Sequence, residues 1–350
     1  MAGCASPGSM LGPRVSVAPP QSPDPVSSPQ PSSPQPASAL VPARRTAGID
    51  TSIRIRVADA HGTRIVAMAI EEYVLGAVRA ELAPRTLQDD AAGRILRVQA
   101  LVARTYALAN LGRHGADRFD LCDTTHCQIY RQGLPTEHAA DLAARAVADT
   151  RGEVVTYQGH VIQALFHSNC GGHTASASSV WGGPDLPYLK PAADAFCAAA
   201  SPTHWTFTVG EPELRRVLNS SPTTAVGSRL IRIDMADRDA SGRAGLLTLA
   251  GSRAPVVRAE ELRAVIGRVL GPQAIRSTLF TVSRLGDQFV FSGVGYGHGV
   301  GLCQLGANLR ARAGQSIVDI ISHYFPGARI QSATVAERLP DEARHIGDIP

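Results

Sequence analysis

From residue 49 onward, hydrophobic and polar positions recur with periods that predict both strands and helices. Ile53–Val57 alternates apolar and charged residues, and a second apolar run, Arg64–Ile70, follows a turn at His61-Gly62; together these predict a β-hairpin. After Ile70 the apolar positions recur every three or four residues, which predicts a helix that ends before Pro84. The ordered chain therefore begins as a hairpin followed by a helix.

The remaining sequence shows the same two periods in short segments. Helical spacing predicts helices near residues 91–111, 136–148, 211–218, 259–269, 303–313 and 316–324. Period-two spacing predicts strands at Glu153–Tyr157, Val161–His167, Trp205–Val209, Leu230–Asp234, Leu246–Leu249, Leu279–Arg284 and Gln288–Ser292. The mixture predicts an α+β fold, in which helices and small curved sheets or barrel-like lobes surround a cleft. An inserted or second αβ lobe at about 200–285 carries no candidate chemistry.

Composition divides the chain into three parts. Residues 1–48 form a Pro/Ser-rich segment that cannot bury a core, so we expect a disordered linker. Its start, Met1-Ala-Gly-Cys4, has the small-small-Cys pattern of a lipoprotein after signal cleavage, which predicts export and a lipid anchor at Cys4. Residues 49–335 then form the folded domain, and 336–350 form a flexible tail.

Charge and hydropathy exclude two classes of protein. Of the 350 residues, 44% are hydrophobic and 18% charged, as in ordinary globular proteins. The net charge is +4 and its basic residues are scattered, so no nucleic-acid partner is expected. No apolar run reaches the roughly 18 residues of a membrane helix.

Two charged residues fall on apolar helical faces. Glu81 ends the apolar stripe of the first helix, where loss of water would raise its pKa and suit it to act as a general acid. Arg104 is surrounded by Ala and Leu on the longest predicted helix, so its guanidinium needs a buried partner. Glu81, a sugar hydroxyl or a purely structural ion pair would each satisfy it.

Glycine occupies alternate positions from Gly293 to Gly301. In an extended segment this spacing would leave one face as bare backbone and place Tyr296 and His298 on the other. Such glycines often mark close approach by a ligand or another backbone segment. A tight turn is the alternative interpretation.

The cysteines leave several chemistries open. Cys122 and Cys127, with His126 or His114 nearby, could hold zinc. Cys170 lies beside His167 and His173, which permits a thiol hydrolase with His298 as base. In an exported protein disulfides explain the cysteines more economically. The preferred pairs are then Cys122–Cys127 and Cys170–Cys197, with Cys303 free.

Several motifs in this order resemble the SpoIID/LytB family over residues 50–332. They are Glu81-Leu-Ala-Pro, Gln99-Ala-Leu-Val-Ala-Arg-Thr-Tyr-Ala, Cys127-Gln-Ile-Tyr, Phe166-His-Ser-Asn-Cys-Gly-Gly-His-Thr, Pro187-Tyr-Leu and Gly295-Tyr-Gly-His-Gly-Val-Gly-Leu-Cys-Gln-Leu-Gly-Ala. The resemblance implies a lytic transglycosylase that cleaves MurNAc–GlcNAc β-1,4 bonds of peptide-stripped peptidoglycan strands and leaves 1,6-anhydro-MurNAc ends.

The resemblance also implies roles for individual residues. Glu81 matches the family's catalytic glutamate and would act as general acid and base. Candidate substrate-binding residues are Arg104, His167, Ser168, Tyr188, Lys190, Tyr296 and His298. No cofactor is expected, although some relatives bind zinc in the loop that corresponds to Cys122–Cys127. Arg97 replaces the family's usual lysine, no tryptophan follows Glu81 closely, and extra residues lie around Gln88–Gly93, so the Glu81 loop differs in shape.

One carboxyl group suits this reaction. A hydrolytic glycosidase needs two carboxylates, whereas ring closure uses the substrate's own C6 hydroxyl as nucleophile. Were the reaction hydrolytic, Asp120 and Asp123 would be the first candidates for a second acid. The alternative function is a non-catalytic wall-binding module that recruits or stimulates an amidase. Either function predicts a periplasmic or cell-envelope protein with glycan strands as partner.

Overall fold

The computed structural model describes residues 51–59, 62–82, 90–132, 138–200 and 203–334. The predicted linker 1–48, with Cys4, and the whole of the predicted tail 336–350 lie outside these residues. The helices are α1 Ile70–Glu81, α2 Asp90–Ala109, α3 His138–Asp149, α4 Ala177–Trp181, α5 Ala195–Ala199, α6 Glu211–Leu218, α7 Ala259–Leu270, α8 Gln304–Arg312 and α9 Ile317–Tyr324. None of the helices in these ranges is long and apolar enough to span a membrane.

The strands form small sheets that stay open within the described residues. They are β1 Ser52–Asp59, β2 Gly62–Ala69, β3 Leu121–Cys122, β4 Glu153–Tyr157, β5 His160–Val161, β6 Phe166–His167, β7 His204–Gly210, β8 Leu230–Met235, β9 Leu246–Gly251, β10 Val256–Arg258, β11 Phe280–Leu285, β12 Gln288–Val294, β13 Leu302–Cys303 and β14 Arg329–Ser332. Their orders are β2-β1-β3, β14-β4-β5, β13-β6, β10-β9-β8 and β11-β12-β7. The predicted α+β class is confirmed, and no sheet here closes into a barrel.

Helix α2 is the centre of the larger core. It packs against α1, α3, α8 and β4, and nearly every side of it is buried between Ala91 and Ala109. This follows from its sequence, in which small and branched apolar residues occupy all faces, so that neighbouring helices can approach from several directions. Helix α1 follows the β1–β2 hairpin directly and packs against α2. Glu81 is the last residue of α1, at the end away from the hairpin.

A second hydrophobic core lies between Trp205 and Phe291. Helices α6 and α7 pack together, and buried residues from β7, β9 and β12 contribute to the same cluster. The strand alternation predicted for this segment holds: Phe289 and Phe291 of β12 are buried, and the intervening residues are less so.

Two predicted segments differ from the structure. The strand expected at Val161–His167 is split, because Ile162–Leu165 leaves the ladder between β5 and β6. The glycine stretch is not a regular strand beyond Val294: Gly295, Gly297 and Gly299 each have φ between 83° and 101°. These positive φ angles, which glycine adopts readily, remove the simple alternation of two faces that a regular strand would have.

The glycines instead allow the stretch to pack on the protein's own backbone. A Cβ on Gly295 would lie 2.8 Å from the Asn169 carbonyl oxygen, and one on Gly301 would clash with the Leu165 carbonyl oxygen. The backbones of Asn169 and Tyr296 exchange hydrogen bonds of 3.0 and 2.9 Å. The close approach that the sequence predicts is therefore made by the segment Leu165–Gly171, which contains β6.

We expect Gly301→Ala to destabilise the protein far more than Gly314→Ala. Both glycines have positive φ, 70° and 85°, so each alanine pays about 1–2 kcal/mol for the left-handed backbone. Only at Gly301 does the added methyl meet backbone, since nothing lies within 4 Å of the equivalent position at Gly314. Urea denaturation of the two variants measures the difference, and equal losses would contradict this packing.

Candidate active site

Glu81 is held between two elements distant in sequence. It is the last residue of α1, which ends because Leu82 adopts an extended conformation (φ −114°, ψ 97°). The Ile129 N–H donates to Glu81 Oε1 at 3.1 Å, and Gln304 Nε2 donates to Oε2 at 3.4 Å. Each carboxylate oxygen thus has one donor, which fixes the orientation of the group.

Burial raises the pKa of Glu81 above its ordinary value. The hydrogen bonds from Ile129 and Gln304 and the charge of Arg131 favour the ionised form, but desolvation is the larger effect. A carboxyl group in this state holds its proton closer to neutral pH than an exposed glutamate does. That property is required of a general acid, and it agrees with the sequence prediction for Glu81.

The raised pKa predicts a pH-dependent stability difference between the wild type and Glu81→Gln. The unfolded chain has an ordinary glutamate pKa, so ionisation above that pH favours unfolding. Relative to the variant, the wild type should be most stable at about pH 4 and lose stability as pH rises through the raised value. Urea denaturation across this range measures the difference; a constant difference at every pH would contradict a desolvated Glu81.

The first residues of α8 connect Glu81 to the segment at β6. Gln304 is buried, and its Nε2 also lies 3.5 Å from Gln99 Oε1 on α2. The next residue, Leu305, donates its N–H to the Ser168 carbonyl oxygen at 3.1 Å. The exposed residue Ser168 is therefore brought near the Glu81 side of α8.

His167 and His298 lie side by side, with ring centroids 5.4 Å apart. His298 Nε2 donates to the Phe166 carbonyl oxygen at 2.9 Å, and its Nδ1 accepts from the Val300 N–H at 3.1 Å. Burial lowers the pKa of His298 to about 3, so the ring is neutral. Both ring nitrogens are hydrogen-bonded to the backbone, so only the face of the ring is left for other contacts. The ring centroids of His298 and Trp181 lie 5.0 Å apart.

His167 is also a neutral, buried group. Its Nδ1 lies 3.1 Å from the Val300 carbonyl oxygen, while its Nε2 is buried without a hydrogen-bond partner. Burial, followed by the neighbouring His298 and Arg243, lowers its pKa well below the ordinary value. It therefore packs under the glycine stretch rather than serving as a charged ligand for substrate.

Arg104 pairs with Glu71, not with Glu81. Its Nε and Nη2 donate to the two Glu71 carboxylate oxygens at 2.9 and 2.6 Å, and further bonds reach the Val147 and Glu153 carbonyl oxygens. The side chain is 1% exposed. Of the three partners considered from sequence, the structural ion pair is the one present, and it leaves no exposed guanidinium for a sugar.

The other predicted substrate-binding residues are spread out. Tyr188 is buried against Tyr157, its hydroxyl accepts from the Gln163 N–H, and burial raises its pKa to about 12. Lys190 is exposed. Tyr296 is half-buried, and its hydroxyl accepts from Gln273 Nε2 at 2.9 Å. No contact of these three with Glu81 is present in the described part of the chain.

A candidate metal site lies at β3, between the residues that precede this strand and the loop that follows it. His114, Cys122, His126 and Cys127 place their ligand atoms within 4.8 Å of one another. Two thiols and two imidazoles are a common donor set for tetrahedral zinc, so the residues fit the metal that the resemblance implies. The described cysteines are free thiols, and neither predicted disulfide is formed in the structure.

Two alternative chemistries receive no support from the geometry. Asp120 accepts hydrogen bonds from the Arg54 side chain and the Gly112 N–H, and Asp123 accepts one from the Ala58 N–H. Both carboxylates therefore stabilise the chain around the β1–β3 pairing. Cys170 is fully buried among Cys197, Cys303 and Asp194 rather than beside a histidine base. Neither a second acid at those positions nor an accessible Cys170 nucleophile is present.

Sequence reasoning missed the partners of Glu81. Gln304 stands in the motif that ends the glycine stretch, and Ile129 lies in Cys127-Gln-Ile-Tyr, yet neither is recognisable as a site residue by side-chain type. The Ile129 contribution is a backbone N–H, which no sequence pattern reports. Both residues stand in motifs that carry the family resemblance, and this was the only signal for them in the sequence.

Comparison with known proteins agrees with the motifs. The sequence model of the SpoIID family, described as Stage II sporulation protein, matches residues 59–157, and that of DUF8618, a domain of unknown function, matches residues 199–301. Stage II sporulation protein D of Bacillus amyloliquefaciens is 31% identical over 278 residues, which cover 75% of this chain and 74% of that protein. This chain belongs to the SpoIID family.

Two further relatives come from Bacillus subtilis (strain 168). Its Stage II sporulation protein D is 28% identical over 279 residues, covering 75% of each chain. Its Amidase enhancer is 27% identical over 288 residues, which are 68% of this chain but 38% of that protein. The likeness to the Amidase enhancer thus concerns only part of the longer protein.

Proposed function

We propose that this protein is a peptidoglycan lytic transglycosylase with Glu81 as its acid and base. The observation that carries the proposal is a single carboxyl group, desolvated and oriented by one hydrogen bond on each oxygen. The described contacts of Glu81 include no second carboxylate. Membership of a family whose relatives are named for sporulation and for amidase enhancement supports a substrate in the cell wall.

One carboxyl group can serve both steps of this reaction. Protonated Glu81 gives its proton to the glycosidic oxygen as the bond between MurNAc C1 and that oxygen breaks. The C6 hydroxyl of the same MurNAc then bonds to C1, and its proton passes to the Glu81 carboxylate. The products are a 1,6-anhydro-MurNAc end and a free GlcNAc hydroxyl, and Glu81 regains its starting state without water.

Other residues would support these steps by position. Gln304 and the Ile129 N–H keep the carboxyl aligned, and Ser168 offers an exposed hydroxyl near the start of α8. Zinc held by His114, Cys122, His126 and Cys127 would act structurally, because all four ligand positions are taken by protein. It would fix the loop that presents Ile129. A wall substrate also implies export, with the anchor at Cys4 as part of the same proposal.

A second candidate function is stimulation of a cell-wall amidase. The similarity to the Amidase enhancer over 68% of this chain favours it. This function would need binding to glycan or amidase but no proton transfer by Glu81. Amidase activity measured with the wild type and with Glu81→Gln therefore separates the two functions: equal stimulation by both proteins favours recruitment.

The direct test uses peptide-free glycan strands and mass spectrometry of the products. The transglycosylase predicts fragments one water lighter than hydrolysis products, with anhydro ends. Reducing ends would contradict the proposed chemistry. Intact strands that remain bound to the protein would favour the recruiting function.

A further inference from the structure

Four buried side chains converge behind the glycine stretch. Cys170 follows β6, Asp194 and Cys197 lie at the N-cap and first turn of α5, and Cys303 is the N-cap of α8. Their exposed fractions are 0, 0, 5 and 0% in that order. The three sulfurs and a carboxylate oxygen lie within 4.8 Å of one another. Nothing in the proposed transglycosylase mechanism uses these groups.

We propose that Cys170, Asp194, Cys197 and Cys303 bind a structural zinc ion. Tetrahedral zinc with Zn–S bonds of about 2.3 Å separates two sulfurs by about 3.8 Å, and sulfur from a carboxylate oxygen by about 3.5 Å. The Cys197 and Cys303 sulfurs lie 3.8 Å apart, and Cys170 Sγ lies 3.7 Å from Asp194 Oδ2. These two distances match the spacing of ligand atoms around a tetrahedral zinc ion, and the remaining ligand atoms lie within 4.8 Å of one another.

The groups around the cluster suit thiolate ligands. Cys303 Sγ accepts from the N–H groups of Cys170 at 3.2 Å and Gly306 at 3.4 Å, and Cys170 Sγ accepts from the Gly172 N–H at 3.4 Å. Donors of this kind stabilise negative sulfur. They are supplied by backbone, so their direction is fixed by the fold rather than by mobile side chains.

Asp194 has the outer hydrogen bonds expected of a metal ligand. Tyr324 donates its hydroxyl to Oδ2 at 2.6 Å, and Arg310 Nη2 donates to Oδ1 at 3.2 Å. Such partners orient a coordinating carboxylate. A second buried guanidinium, Arg243, donates to the Cys170 carbonyl oxygen at 2.7 Å. Zinc and these two arginines together balance the charge of three thiolates and one carboxylate.

A disulfide accounts for the cluster less completely. The pair Cys170–Cys197 would use two sulfurs and leave the Cys303 thiol and the Asp194 carboxylate buried beside it. A metal ion uses all four donors at once. Because every position would be filled by protein, the ion would have a structural role rather than a catalytic one.

The position of the cluster suggests what the ion stabilises. It would join the segment after β6, helix α5 and the start of α8, which are far apart in sequence. Gln304, which donates to Glu81, directly follows the ligand Cys303. The proposed zinc would therefore hold the element that aligns the carboxyl group, whichever reaction that group performs.

The test uses the full chain with Cys122→Ser and Cys127→Ser, which removes the thiols of the other metal candidate. After reduction, loading with Zn²⁺ and dialysis into metal-free buffer, elemental analysis should find one zinc per chain. X-ray absorption should show three sulfurs at about 2.3 Å and one oxygen at about 2.0 Å. Adding Cys303→Ser should abolish stoichiometric zinc, and circular dichroism reports whether that variant still folds.

Three results would overturn the proposal. The first is no retained zinc after the dialysis. The second is zinc coordinated by nitrogen and oxygen alone, which would place it elsewhere. The third concerns the protein as purified: alkylation of the denatured, unreduced chain should label Cys170, Cys197 and Cys303, whereas labelling of only one of these three would reveal a disulfide. None of these measurements depends on glycan cleavage.

Discussion

Replacing Glu81 by glutamine should lower the rate of glycan cleavage by about 10²–10⁴-fold, the usual contribution of a general acid. The substitution keeps the shape of the side chain and an acceptor for the Ile129 N–H. It removes the carboxyl group that gives and takes the proton in the proposed mechanism. Binding of glycan strands should therefore persist while the release of anhydro-ended fragments, followed by mass spectrometry, is lost.

Glu72→Gln is the matched control for this experiment. Glu72 lies on the same helix but is exposed, so the same chemical change occurs outside the site. Its cleavage rate should stay within about twofold of the wild type, since isolated surface substitutions have small effects. Equal losses of cleavage rate in the two variants would contradict a specific role for Glu81. Full activity of Glu81→Gln would contradict its role as acid and base.

Replacing Arg104 by methionine should destabilise the fold by about 3–5 kcal/mol, because it leaves the Glu71 carboxylate buried without its charge partner. The carbonyl oxygens of Val147 and Glu153 lose donors as well. Urea denaturation near neutral pH measures the loss.

Two variants serve as controls for this prediction. Arg104→Met combined with Glu71→Leu removes both charges and should recover part of the stability. Arg97→Met breaks the pair with Asp149, in which the side chains are 41% and 46% exposed, and should cost less than about 1 kcal/mol. If Arg104→Met lowered the free energy of unfolding no more than Arg97→Met does, the buried pair would not stabilise the fold more than an exposed pair.

Sequence periodicity was sufficient to predict most of the helices and strands. The hairpin, α1 and α2 were predicted within a few residues, because their apolar spacing is set by which side faces the core. The break between β5 and β6 was not predicted, since Ile162–Leu165 contains no Gly or Pro that would signal the end of a strand. Its departure from the ladder depends on packing against other parts of the chain, which local spacing does not encode.

The glycine stretch shows a second limit of sequence reasoning. Alternating glycine fits a regular extended strand, but the positive φ angles of Gly295, Gly297 and Gly299 show that the regular strand ends at Val294. Close approach was predicted correctly, but the partner is the protein's own segment Leu165–Gly171. Likewise, the burial of Arg104 was evident from its neighbours, whereas its partner Glu71 was not.

The most direct test of the central claim is cleavage of peptide-free glycan strands in water labelled with heavy oxygen. Ring closure takes its oxygen from the MurNAc C6 hydroxyl, so the wild type should yield anhydro ends that contain no label, and Glu81→Gln should yield almost none. Hydrolysis would instead place one labelled oxygen at each new reducing end. Labelled ends from the wild type would contradict a single-carboxyl transglycosylase.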